Sequence, residues 1–329
     1  NQLIHMGTRS RLTQDWLAYN NPGGSVSGMS AVGSDEATGL TAGEKMLCRQ
    51  LYYLIAVFLA AWSYLTEGKI PLPKSFDLDS LLRGKLFEDM GLTNLKLEGC
   101  PSVNEFDISI HLAGLLDTIN KLDLASYAGG DLFRPLYENL LTAKMRHATG
   151  EHYTPEWLAA HMLDQIGFRG EKETTLIDPA CGSGAFLVEA ILRKRARQGG
   201  LGDWGQVVGI DVNPLAVLAA KVNYLIAAGY RPSACAGDLE VPVFQHDVVT
   251  GDDHGLWSEV DTPWDSMRFD YVVGNPPWIN WESLSADYRL ATLDSWKKYG
   301  LFRHRGMDTI LGKGKKDFST LMTLASADR

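Results

Sequence analysis

Asn275, Pro276, Pro277 and Trp278 follow the uncharged run Tyr271-Val272-Val273-Gly274 and are the residues of this chain best suited to do chemistry. Two consecutive prolines cannot continue a β ladder and hold the backbone extended. In that shape the Asn275 carboxamide oxygen and the Pro276 carbonyl can converge as paired acceptors. Such a pair suits an exocyclic NH2, whose lone pair is ordinarily delocalised into its ring. Accepting both protons favours a pyramidal nitrogen and stabilises the positive charge that builds as it attacks a methyl group. Trp278 adds a flat face on which a planar base can stack, worth about 1–3 kcal/mol. The plain alternative is a proline-rich turn beside a core tryptophan; the motif's place after a strand pattern speaks against it.

A second constellation lies upstream. Asp178-Pro179-Ala180-Cys181-Gly182-Ser183-Gly184 follows one β-like run and opens a helical one. Its glycines let backbone approach a ligand, and a helix start offers free N–H groups. Alone the turn is a weak signal, because position 187 is Leu where the dinucleotide fingerprint needs a third glycine. Asp211 ends the next run and Asp247 the one after it. An acid at the first of these places suits ribose hydroxyls, and one at the second could accept from an adenine amine. Each taken singly reads as readily as a helix cap or loop residue. Together with the turn, acids at successive strand ends are hard to explain by coincidence.

The elements that must position these residues alternate. Strands are expected at 174–178, 206–211, 241–247 and 269–275, with helices at 185–198 and 214–228. Strand–helix alternation predicts parallel strands with right-handed crossovers, hence an α/β fold with a doubly wound, mostly parallel sheet. Thr154-Pro155-Glu156 reads as a helix start, with Thr154 as cap and Pro155 in the first helical position. Ahead of this the chain reads as helical, over 44–67, 77–90, 108–122 and 131–147. The expected division is a Gly/Ser-rich flexible arm (1–43), an α-helical domain (44–147) and a catalytic domain (148–329).

The chain has 329 residues, 45% hydrophobic and 22% charged, in the range of ordinary globular proteins. Its four cysteines, Cys48, Cys100, Cys181 and Cys235, form no CxxC pair and no cluster with histidine. Neither a structural metal nor a disulfide framework is expected, and a cytoplasmic setting fits. The apolar stretch 51–65 is shorter than the roughly 20 residues a membrane span needs, so it reads as a buried helix. Net charge is −9, which argues against indiscriminate coating of nucleic acid, but the distribution is uneven. Residues 289–329 carry +5 and the remainder −14. A basic tail on an acidic body is either one anionic contact surface or a solvated face. Glu67-Gly68-Lys69 spells a nuclease-like E-x-K, but no Pro-Asp lies just upstream and it ends an apolar helix.

The set resembles the N6-adenine DNA methyltransferases in which the cofactor motif precedes the catalytic motif. These include modification subunits of type I systems, fused type IIG enzymes and related phage-defence methylases. The resemblance rests on Leu136-Tyr137-Glu138, Gly150-Glu151-His152-Tyr153-Thr154-Pro155, the run 178–187, Ile210-Asp211, Asp247 and Asn275-Pro276-Pro277-Trp278, and covers roughly residues 130–329. It implies S-adenosylmethionine as cofactor and double-stranded DNA as partner, with methyl transfer to N6 of an adenine rotated out of the duplex. Tyr153 and Thr154 would help hold the methionine end. The turn with Asp178, Ala180, Gly182 and Gly184 would wrap the amino acid and sulfonium region. Asp211 would take the ribose hydroxyls with Val212 against the adenine face, and Asp247, with Val248 beside it, the adenine amine. Lys297, Lys298, Arg303, Arg305, Lys313, Lys315 and Lys316 would lie near the DNA backbone.

The family fold has about three strands beyond the catalytic one and a domain that reads the DNA sequence. Neither follows Trp278 here, so the chain is expected to be a piece of a longer polypeptide that acts with other domains or subunits of a defence complex. Two other readings remain: the same chemistry on protein glutamine or RNA guanine N2, and a cofactor-binding scaffold without turnover.

Overall fold

The computed structural model describes residues 41–70, 78–97, 109–124, 127, 130–140, 153–198, 206–232, 238–250, 268–301 and 317–328. The arm expected over 1–43 lies almost wholly outside these, as do Arg303, Arg305, Lys313, Lys315 and Lys316.

Helix α1 (Ala42–Thr66) opens with a reciprocal cap: Thr41 Oγ1 accepts from Glu44 N–H, and the Glu44 carboxylate accepts from Thr41 N–H at 2.8 Å. It is long and apolar enough to cross a membrane, yet 83% of its most apolar window is buried inside this fold. It is a core helix. The helix expected over 77–90 is instead two short pieces, α2 (Leu78–Leu82) and α3 (Lys85–Glu88). The break is at Gly84, whose φ is +73° and whose hydrogen faces the Leu95 carbonyl; a Cβ there would stand 2.6 Å from that oxygen. α4 (Ser109–Ile119) and α5 (Arg134–Leu140) complete the region ahead of the sheet. α6 (Glu156–Gln165) starts one residue later than expected. Pro155, not Thr154, takes the cap position, and it makes no side-chain cap bond.

Four parallel strands follow, β1 (Leu176–Asp178), β2 (Val207–Asp211), β3 (Val243–Gln245) and β4 (Tyr271–Val272), in the order β3-β2-β1-β4. Each is shorter than its apolar run, because the polar ends carry loop residues. Between them, α7 (Ala185–Gln198) and α8 (Pro214–Ala228) match the expected bounds. Asn213 caps α8 by accepting from Leu215 N–H, Pro214 fills its first turn, and Gly229 at φ +67° ends it.

Alternate strand residues go to opposite faces. Leu176 and Val207 join a large core shared with α1, α5, α7 and α8, whereas Ile177 and Val208 pack with Ile210 and Val248 on the other side. α9 (Ala286–Lys298) and α10 (Phe318–Asp328) bury Trp296, Phe318, Leu321 and Met322 in a smaller cluster that Ala180 touches. The helical region is not set apart from the sheet. Asn94 accepts from Val241 N–H at 2.9 Å and donates to its carbonyl at 2.8 Å, and Lys221 donates to the Asn94 carbonyl at 2.6 Å.

Candidate active site

The strand order reverses at β1. Successive strands run from β1 through β2 to β3, and the chain then returns to place β4 on the other side of β1. Crossovers diverge at such a point, leaving a crevice at the carboxyl ends of the strands. Asp178 ends β1, and the residues after β4 are the Asn-Pro-Pro-Trp motif. They meet closely: a Cβ on Gly274 would stand 2.6 Å from Asp178 Oδ1. The two constellations, nearly 100 residues apart in sequence, therefore share one end of the sheet.

The turn 178–184 is held from several directions. Cys181 N–H donates to the Ile210 carbonyl at 2.9 Å, and Gly182 N–H donates to Asp211 Oδ2 at 2.8 Å. Asp211 Oδ1 accepts from Asn213 N–H at 2.8 Å. Gly182 and Gly184 have φ of +54° and +97°. A Cβ on Gly182 would meet nothing nearer than the Tyr153 ring at 3.9 Å, so its outer side is open. Tyr153 is fixed in turn by an aromatic chain: its ring lies edge-on to Tyr137 at 5.4 Å, and Tyr137 edge-on to Tyr53 of α1 at 5.2 Å. The Tyr137 hydroxyl accepts from Asn213 Nδ2 at 3.2 Å.

Burial governs the acids here. Asp178 is 1% exposed, and loss of solvent pushes its carboxyl up to about 8, with neighbouring Asp211 adding to the rise. Burial also raises Asp211, while its bonds from Asn213, Gly182 and Val212 N–H oppose the rise. The Cys181 thiol is pushed up by burial and by both acids, so it is no thiolate nucleophile.

Asp247 is engaged in its own turn. Its Oδ1 accepts from Val249 N–H at 2.8 Å and Oδ2 from the Tyr288 hydroxyl at 2.7 Å. Val248 is buried with Ile177, Val208 and Ile210, whereas Val212 is 42% exposed at the end of β2. On the other side of the crevice, Trp278 Nε1 donates to Asn275 Oδ1 at 3.0 Å, and Trp278 is 56% exposed. The indole thus orients the carboxamide while offering its own face to solvent. Of the basic residues, Lys297 pairs with Asp294 at 2.9 Å, and Lys298 pairs with Asp328 and donates to the Tyr299 hydroxyl at 3.3 Å. Among the described residues no group of three or more His, Cys, Asp or Glu side chains could hold a metal ion.

Sequence reasoning missed Tyr288, and it missed the pair Asp131 and Asn223. Tyr288 has no local motif. Asp131 reads only as the start of a helical stretch, and Asn223 lies inside an apolar helix; an amide in such a run is the one available signal.

The parallel sheet in the order β3-β2-β1-β4, with helices between its strands, is the doubly wound α/β architecture expected from the sequence. A profile described as N-6 DNA Methylase matches residues 128–319, more than half of the chain, which therefore belongs to that family. It is similar to the type I restriction enzyme MjaIX methylase subunit of Methanocaldococcus jannaschii, 28% identical over 233 residues that cover 65% of this chain and 38% of that protein. It is also similar to the adenine-specific methyltransferase PglX of Streptomyces coelicolor, 31% identical over 209 residues, 49% of this chain and 17% of that one. Among solved structures, the Type ISP restriction-modification enzyme LlaGI, a nuclease-deletion mutant in complex with a DNA substrate mimic, shares the fold. Its TM-score is 0.50 at 12% identity, covering 98% of this chain and 26% of that one. The chain thus spans well under half the length of these relatives.

Proposed function

We propose that this chain carries the catalytic unit of a site-specific DNA adenine-N6 methyltransferase that uses S-adenosylmethionine. Its setting is a restriction-modification or other phage-defence system in the cytoplasm. The observation that carries the reading is the meeting of Asn275-Pro276-Pro277-Trp278 with the buried Asp178 turn at the point where strand order reverses. Family membership supports it, as do relatives whose names are those of adenine-specific and type I methylases.

The residues present fit the cofactor. Gly182 leaves open space before a turn whose backbone is fixed, and the buried Asp178 and half-buried Asp211 stand at the ends of β1 and β2, where they could accept from an ammonium and from hydroxyl groups. Tyr153, Thr154, Asp178, Ala180, Gly182 and Gly184 would hold the amino acid end. Asp211 and Val212 would hold the ribose and adenine, with Asp247 and Val248 beyond them. S-adenosylmethionine supplies, when bound, an electrophilic methyl group on a sulfonium.

The chain's own residues prepare the nucleophile. Asn275 Oδ1 and the Pro276 carbonyl accept the two N–H bonds of the adenine amine and draw its lone pair out of the ring. Pro277 keeps this backbone rigid, and Trp278 stacks on the extruded base. The nitrogen becomes acidic only once alkylated, so its proton passes to water and no strong base is required. Lys297 and Lys298 would touch the phosphate backbone by exchanging their present acidic partners.

The test is methyl transfer by the full-length protein to duplex DNA, with single-molecule mapping of DNA from cells that carry or lack it. N6-methyladenine at one recurring site is expected. Transfer to released protein or RNA in place of DNA, or no transfer with every partner present, would reject the reading.

A further inference from the structure

Asp131 lies ahead of α5, outside the motifs assigned above, and is only 4% exposed. Its carboxylate is surrounded by donors. Oδ1 accepts from Phe133 and Arg134 N–H, each at 3.1 Å, and from Asn223 Nδ2 at 2.8 Å. Oδ2 accepts from the Ser183 hydroxyl. Asn223 Nδ2 also donates to the Ser183 carbonyl at 2.9 Å, and Asn223 Oδ1 accepts from Leu132 N–H at 3.3 Å.

The bonds divide by purpose. Those from Phe133 and Arg134 N–H close a turn at the entry to α5 and use Oδ1, which an acid in many turns could do. The bond from Ser183 does nothing for α5. It reaches 52 positions along the chain to the residue between Gly182 and Gly184, and Asn223 takes the same residue's carbonyl from 40 positions away. Both flanking glycines sit at positive φ, where glycine has no preference of its own over the mirror region. A turn of that kind keeps one shape only if something outside it does the holding. Here Ser183 is 2% exposed and gripped at both its hydroxyl and its carbonyl.

We propose that Asp131, acting through Ser183 and together with Asn223, is a positioning residue for the cofactor turn: it fixes residues 182–184 in the shape that receives S-adenosylmethionine. Cofactor affinity is thereby set partly by the segment ahead of α5, not by the sheet alone. The inference rests on the methyltransferase reading above. Loss of one such buried hydrogen bond corresponds to roughly tenfold in an equilibrium constant.

Calorimetric titration of the full-length protein with S-adenosylmethionine tests this, alongside methyl transfer at saturating cofactor. Ser183→Ala keeps the Asp131 bonds at the entry to α5 and removes only the link. It should raise the cofactor Kd about tenfold or more, with kcat at saturation and KM for DNA within about twofold of the wild type. Ser183→Thr, which retains the hydroxyl, should restore most of the affinity. Asp131→Asn, whose Nδ2 can still donate to the Ser183 hydroxyl, should lose less affinity than Ser183→Ala, and the double variant should lose little beyond Ser183→Ala. A lowered unfolding midpoint with unchanged cofactor Kd in Ser183→Ala would leave Asp131 a structural residue and overturn the proposal. Should Asp131→Asn fail to fold, the two Ser183 variants decide alone. A wild-type protein that takes up no S-adenosylmethionine brings down the methyltransferase reading and this inference together; binding that is equal in wild type and Ser183→Ala brings down this inference only.

Discussion

The two walls of the crevice are built on opposite plans. The wall formed by the turn 178–184 is buried and held from afar: Asp178 is 1% exposed and Ser183 2%, and their neighbours Asp211, Asp131 and Asn223 bond across 29, 52 and 40 positions. The wall formed by residues 275–278 hangs from a two-residue strand that pairs only with β1 among the described residues. The bond from Trp278 Nε1 to Asn275 Oδ1 spans three positions, and Trp278 is 56% exposed. A small ligand of fixed shape is matched by a site set in advance, because nothing then need be ordered on binding. A base that must be turned out of a duplex needs an open wall it can enter. The difference teaches that damage on the first wall should be read in cofactor affinity and damage on the second in turnover or DNA binding.

The largest expected break is Asn275→Ala. Loss of the carboxamide acceptor should lower kcat by at least about a hundredfold, in line with removal of other groups that stabilise developing charge, while cofactor Kd stays within about twofold. A parallel rise in cofactor Kd would show that the walls are not independent. Trp278→Ala comes next. Removing a stacking face costs about 1–3 kcal/mol, so KM for DNA should rise by roughly five- to a hundredfold. Trp278→Phe sharpens the point, since it keeps a stacking face but deletes the indole N–H that orients Asn275. It should spare KM and lower kcat. Smaller again is the effect of Lys297→Ala or Lys298→Ala, because each lysine already has an acidic partner. Each should reduce the salt dependence of DNA binding by at most about one phosphate contact, measured as the slope of log K against log salt.

What the sequence disclosed follows the same division. α7 and α8 were legible to the residue, α8 because Asn213, Pro214 and Gly229 act on the backbone beside them. The place of the Asn-Pro-Pro-Trp motif at a strand's carboxyl end was legible too, since two prolines end a ladder wherever they stand. Long-range dependence was not. Leu95 approaches Gly84 so closely that a Cβ has no room, and nothing in residues 77–90 announces that contact. Thr154 looked like a helix cap by local rules, yet the helix starts beyond Pro155. Asp131 and Asn223 hold Ser183 from distant elements, so the glycine turn itself was legible in the sequence and its support was not. Asp247 was read as facing a ligand, and the Tyr288 hydroxyl on its second oxygen comes from a helix 41 positions later.

The smallest effect tests the buried wall without any ligand. The folded protein holds Asp178 at about 8, against 3.8 when free of the fold. Between those values the folded state carries a proton that the unfolded chain has released. The stability this proton contributes is fully present below about pH 4 and is lost as pH rises towards 8. Burial shifts Asp131 and Asp211 in the same direction. Asp178→Asn keeps an oxygen for the Ala180 N–H and cannot ionise, so its unfolding midpoint should match the wild type near pH 4 and exceed it by a few degrees at pH 8. Trp278→Phe serves as the contrast: neither the indole nor the Asn275 amide titrates, and its midpoint should differ from wild type by the same amount at both pH values. A gap for Asp178→Asn that is flat across this range, or that favours the wild type at pH 8, would mean that the buried wall carries a full charge in the free protein. Its acids would then be as accommodated as any group on the open wall, and the contrast between the two would lose its electrostatic half.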